Sequence, residues 1–136
     1  MSRKIIVPID LPDEGKAAKM IKAARDLGGD DARITLVHVV ADVPTYVAAE
    51  LPGGVLDQVE ENAEAELAEI AKSIGVNADI EVHRGQPATV ILGVAKEKSA
   101  DVIIVASHHP GLADYFLGST AARVVRHAEC SVYILR

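Results

Sequence analysis

An α/β fold with one parallel sheet of five strands and helices on both faces is predicted by two observations. Short aliphatic runs, of the kind that fill a strand buried on both sides, alternate along the chain with amphipathic stretches of helical period. The composition is 49% hydrophobic yet only 3% aromatic, so the core must be Val, Ile, Leu and Ala. Strands separated by helices run parallel, with right-handed crossovers and both sheet faces covered.

The first strand is predicted over Lys4–Ile9, with Asp10 at its carboxyl end. Pro8 belongs near the strand's exit, where no ladder N–H is missed. Asp13 through Leu27 carries Ala17, Ala18, Met20, Ile21, Ala24 and Leu27 at helical spacing. Asp13 is placed to cap that helix, and Gly28-Gly29 to stop it. The second strand is Arg33–Val40. Ala41 to Gly54, with Pro44, Pro52, Gly53 and Gly54, is expected to be irregular, a flap too long for a plain turn.

Val55–Ile74 is a long amphipathic helix whose predicted buried stripe is Leu56, Val59, Ala63, Leu67, Ile70, Ala71 and Ile74. Glu60, Glu61, Glu64, Glu66 and Glu69 form its solvated face, and Gly75 ends it. Ala78–His83 alternates as a strand does. Arg84 to Pro87 is a turn, with Pro87 as the first helical residue of a stretch running to about Lys98. The fourth strand is Asp101–Ala106, followed by a polar loop, a helix over Thr120–His127 and a last strand, Ser131–Leu135.

At 136 residues, without repeats or linkers, the chain reads as one domain, 1–136. A net charge of −6 argues against non-specific binding to nucleic acid or an anionic membrane. One cysteine, Cys130, excludes an internal disulfide and suits a reducing compartment. No run is long enough to cross a bilayer or to serve as a signal peptide, so a soluble, cytoplasmic protein is expected, with no membrane insertion.

The candidate site lies in Ala106–Thr120. Gly118-Ser119-Thr120 falls at a predicted helix start, where free N–H groups and the positive end of the helix dipole favour an anion, most often phosphate. The competing reading is an ordinary loop with Ser119 or Thr120 as the N-cap. In sheets of this kind ligands sit where strand order reverses. Order 3-2-1-4-5 puts that point between strands one and four, with Asp10 beside the loop. A carboxylate there can accept from ribose hydroxyls while N–H groups hold phosphate.

A P-loop is absent, and so is a Gly-x-Gly-x-x-Gly turn after the first strand. Adjacent His108 and His109 lack metal-ligand spacing, so no metal site is expected.

Ile5–Asp10, Leu36–Val39, Gly85-Gln86-Pro87, Asp101–Ala106 and the end from Gly118-Ser119 to Leu135 together resemble the universal stress protein family over almost the whole chain. The ATP-binding branch of that family carries Gly-x-x-Gly, nine residues, then Gly-Ser or Gly-Thr. Gly118-Ser119 matches the second part. Ala106–His109 stands in place of the first, and the spacer is one residue short. Ala-Ser-His-x-Pro from Ala106, Tyr115-x-Leu117-Gly118-Ser119 and Val124–Val132 resemble the F/G-like bacterial subgroup, whose members are held to bind adenine nucleotides despite altered glycines.

The resemblance implies an adenine nucleotide α-hydrolase-like fold and a ligand of ATP, ADP or AMP, with or without Mg²⁺. By the same resemblance Asp10 would contact ribose, Pro8 and Ile9 would wall the adenine, and the Val39 backbone would face its amino edge. Ala106, Ser107, His108 and His109 would line ribose and α-phosphate. Gly118, Ser119 and Thr120 would hold the outer phosphates. A homodimer paired through Ser131–Leu135 is implied as well. Two other readings stay open: a slow ATPase, for which Asp114 is the one acid in the loop, and a nucleotide-free dimeric interaction protein.

Overall fold

In a computed structural model that describes residues 2–11, 14–107 and 117–136, five strands form one sheet: β1 (Lys4–Pro8), β2 (Arg33–Val40), β3 (Ala78–Arg84), β4 (Val102–Ala106) and β5 (Ser131–Leu135). Their order is β3-β2-β1-β4-β5, and each neighbouring pair is parallel. The helices among these residues are α1 (Glu14–Gly28), α2 (Thr45–Ala48), α3 (Val55–Ile74), α4 (Pro87–Glu97) and α5 (Ser119–His127).

Side chains alternate across the sheet and build two cores. Ile5, Val7 and Ile9 face α1 and α3 and pack with Met20, Ile21, Leu67 and Ile70. Ile6, Val37, Ile103 and Val105 face the other way and pack with Ile91 and Val94 of α4 and Ala121 and Val124 of α5. Strands in the middle of the sheet are therefore apolar on both faces, which is why their sequences read as unbroken aliphatic runs.

Three expectations need correction. The stretch from Ala41 to Gly54 is not wholly irregular: Thr45–Ala48 closes a helical turn, with the Val47 and Ala48 N–H groups on the Pro44 carbonyl. Val59 does not belong to the buried stripe of α3, being 42% exposed, because burial on that helix begins at Ala63. Gly28 is helical, and the left-handed turn falls to Gly29, at φ 80°. Gly28 answers to space instead: a Cβ there would lie 2.6 Å from the Ala32 Cβ and 2.8 Å from Ile5 Cδ1.

The α4 start follows its sequence signals. Pro87 is the first helical residue, and the Gln86 side chain accepts from the Thr89 N–H at 2.8 Å. At the other end, Lys98 reaches Glu81 on β3 at 2.9 Å and Asp79 at 3.7 Å. His83 Nε2 also meets the Glu81 carboxylate, at 2.7 Å. Burial pushes the Glu81 carboxyl upward, but hydrogen bonds and charge from His83 and Lys98 outweigh it, and the net result lies below its ordinary value. The hydrogen bond to Glu81 raises Lys98 in turn.

The sign of the resulting pH dependence follows. A depressed folded-state carboxyl contributes stability that is full above its unfolded value of 4.5 and is lost as pH falls through the lower folded one. The raised Lys98 contributes below 10.5 and loses that contribution as pH climbs through its folded value. Lys98→Met is expected to cost up to about 1 kcal/mol at neutral pH, since both partners are partly exposed. Urea melts of wild type and variant should converge in acid.

Candidate functional site

All of β1, Lys4–Pro8, is paired with β2, but among the described residues only Ile5 and Ile6 pair with β4. Beyond Ile6 the two strands part. A cavity of about 460 Å³ fills the gap at their carboxyl ends. Its floor is the strand exits, with Pro8, Ile9 and Asp10 on one side, Val105 and Ala106 on the other, and Val37 and Val39 of β2 beyond. Helix starts form its walls: Lys16, Ala17 and Met20 from α1, Pro87 and Ile91 from α4, and Gly118 to Ala121 from α5. Each helix after a parallel strand begins at the sheet's carboxyl edge, so three N-terminal turns converge here. Their free N–H groups and positive dipole ends make the cavity receptive to an anion.

The exit of β1 is held on both backbone groups of Ile9. Its N–H donates to the Val37 carbonyl at 2.8 Å. Its carbonyl accepts from His38 Nδ1, also at 2.8 Å. A carbonyl cannot donate, so Nδ1 carries the hydrogen, which fixes the tautomer of a neutral ring. Ile9 itself is buried, and Asp10, next along, is exposed at the cavity.

The start of α5 differs from the capping alternative. Its N-cap is Gly118, at φ −61° and ψ 156°, with no side-chain cap bond, and Ser119 and Thr120 lie inside the helix start. The Gly118 N–H donates to the Ser107 carbonyl at 3.0 Å. Its φ is one any residue adopts, and a Cβ there would meet nothing within 4 Å. Nothing among the described residues demands glycine at this position.

Of the residues expected at the site, the structure brings Pro8, Ile9, Asp10, Val39, Ala106, Gly118, Ser119 and Thr120 to the lining of one cavity. Ser107 is set beneath it: it is buried, and its N–H donates to the Leu135 carbonyl at 2.9 Å. His108 and His109, and likewise Asp13 and Asp114, lie outside the described residues. Sequence reasoning missed Lys16, Met20, Val37 and Pro87 as cavity residues. The first turns of the helix that leaves β1 are the place to look for such residues, but which of them face the cavity is set by how α1 packs on the sheet.

Among the described residues lining the cavity, Lys16 is the sole cation and Asp10 the sole anion. No group of three or more His, Cys, Asp or Glu among the described residues could hold a metal. Burial pushes the Cys130 thiol up, with Asp101 and Glu129 adding to the shift, so it is not a thiolate at neutral pH. No described helix is long and apolar enough to cross a membrane.

The model of the Universal stress protein family matches residues 1–136. Universal stress protein A homolog 2 of Coxiella burnetii is 32% identical, over 98% of this chain and 94% of that one. Universal stress protein G of Shigella flexneri is 27% identical over the whole of both. Among solved structures, universal stress protein UspA from Lactobacillus plantarum superposes with a TM-score of 0.77 at 24% identity, covering 99% of this chain and 98% of that one. A universal stress protein in complex with cAMP superposes at 0.72, with 19% identity over 99% of this chain and 97% of its own. Another, from Archaeoglobus fulgidus in complex with dAMP, does so at 0.66 with 15% identity over 98% of both. The five-stranded parallel sheet and its helices are those of the adenine nucleotide α-hydrolase-like fold.

The His38 clamp predicts a stability effect. His38→Leu leaves the Ile9 carbonyl without its side-chain donor and is expected to cost about 1–3 kcal/mol. His38→Asn, whose amide N–H can take the place of Nδ1–H, should recover most of that loss in thermal or urea unfolding.

Proposed function

The chain belongs to the universal stress protein family, and on that premise we propose that it binds an adenine nucleotide in the cavity between the β1 and β4 exits, as a stress-response or regulatory module. The observation that carries this reading is the open backbone at Gly118, lining the same cavity as Asp10. A glycine that neither conformation nor packing requires is accounted for by a phosphate that must approach the chain closely. The fold neighbours described in complex with cAMP and with dAMP support an adenine ligand.

In this reading ATP, ADP or AMP lies across the cavity. Asp10 accepts from the ribose hydroxyls, and Pro8 and Ile9 flank the adenine. The Val39 backbone meets its amino edge, and Ala106 and Ser107, with His108 and His109 after them, adjoin ribose and α-phosphate. Gly118 lets the outer phosphates approach the chain closely, while its own N–H stays on the Ser107 carbonyl, and the backbone N–H groups of Ser119 and Thr120 hold them. Mg²⁺, where bound with the nucleotide, would neutralise part of the phosphate charge.

The binding test is a calorimetric series. Affinity should fall from ATP through ADP and AMP to adenosine. Asp10→Ala should cost about 1.5–3 kcal/mol of binding, the worth of a charge-assisted hydrogen bond. Gly118→Val should fold, since a side chain there meets open space, yet bind worst. Ser119→Ala should leave the unliganded melting temperature nearly unchanged, because Ser119 is the first helical residue and not the N-cap. Equal affinity for ATP and adenosine would refute a phosphate site.

A second part of the proposal is a homodimer through β5. That strand forms one edge of the sheet and exposes Tyr133 at 40% and Ile134 at 38%. The opposite edge, β3, is fenced by the charges of Asp79, Glu81 and Lys98. An edge with exposed apolar side chains invites pairing, and a lysine there discourages it. Sedimentation should show a dimer for the wild type at micromolar concentration and a monomer for Ile134→Lys.

A further inference from the structure

We propose that Lys16 is a specificity-determining residue, supplying the cation that makes the cavity prefer nucleoside polyphosphates over nucleosides. This rests on the nucleotide reading above and names a group it leaves out. The chain carries a net charge of −6, and a polyphosphate brought to it adds several negative charges more. The converging helix N-termini supply only partial charges, about half an elementary charge each. Among the described residues of the cavity wall, Lys16 is the one full positive charge.

Its placement is fixed by the fold. Ala17 and Met20, its neighbours on α1, are buried at 1% and 4% in the core that α1 shares with α3. That anchoring holds the first turn of α1 against the β1 exit. Gly118, Ser119 and Thr120 reach the cavity from α5, which packs on the other sheet face. The cavity is therefore lined from both faces: by the start of α5 on one and by Lys16 of α1 on the other. Lys16 is half-buried, so its charge acts with less screening than one in open water.

The test compares Lys16→Met, which keeps the stem without the charge, with Lys16→Arg and with Lys19→Met. Lys19 is exposed on the same helix and is not among the cavity residues, so its loss changes net charge equally. ATP, adenosine and inorganic tripolyphosphate are titrated into each folded protein. Lys16→Met should weaken ATP and tripolyphosphate by about tenfold or more, as loss of a charge-assisted contact does, and leave adenosine unchanged. Lys16→Arg should restore most of the affinity, and Lys19→Met should have a much smaller effect.

The proposal is overturned if Lys16→Met leaves ATP affinity as it was, if adenosine weakens as much as ATP, or if Lys19→Met matches it. In the first of these cases ATP still binds and the nucleotide reading survives alone. If tripolyphosphate binding depends on Lys16 while the adenosine moiety adds nothing, the role of Lys16 stands and the nucleotide reading fails. A wild type that binds neither ATP nor tripolyphosphate overturns both.

Discussion

The structure depends on how briefly β1 and β4 touch. Ile5 and Ile6 pair with Val102 and Ile103, and then the two strands separate. This is the point at which the sheet reverses its order, with β2 and β3 built out on one side of β1 and β4 and β5 on the other. The helix that leaves β1 packs on one face and the helix that follows β4 on the other. The carboxyl ends of the strands can therefore form a cavity there without breaking a core.

The same constraint sets the chemistry of the cavity. Parallel strands send every following helix off from one edge, so helix N-termini gather where the strands end. Their N–H groups have no intrahelical acceptors, and α5 begins at Gly118 without a side chain to satisfy them. Asp10 and Lys16 bring the only full charges among the described wall residues, one from the strand exit and one from the helix after it. His38 keeps that exit in place from the side, through the carbonyl immediately before Asp10.

The two edges of the sheet are treated differently. On β3, Glu81 holds both His83 and Lys98, while Arg84 is tied to Asp57 at 2.9 Å and to Glu60, both on α3. A strand so charged is poorly suited to pairing with another chain. On β5 the exposed side chains include a tyrosine and an isoleucine. The asymmetry gives the molecule one edge open to association and one closed to it.

Strand and helix identities were legible in the order of residues because burial imposes a period. The aliphatic run Ile5–Val7 could be nothing but a strand buried on both faces, and Leu67, Ile70 and Ala71 could be nothing but one face of a helix. Turn chemistry was equally local: Pro87 with its Gln86 cap begins α4 as its residue types require. Asp10 and Gly118 were legible as candidates because each ends or begins an element at the sheet's carboxyl edge. Tertiary packing alone decided the rest. Val59 fits the period of α3 but precedes Ala63, where burial on that helix begins, and solvent reaches it. Gly28 is hemmed in by Ile5, from a different element, and by Ala32, across the turn that follows. Lys16 reads in sequence as one more solvated lysine, and it reaches the cavity because Ala17 and Met20 fix how α1 is rotated against β1. Period tells which face of an element is buried, and only the meeting of elements tells what stands at the boundary of that face.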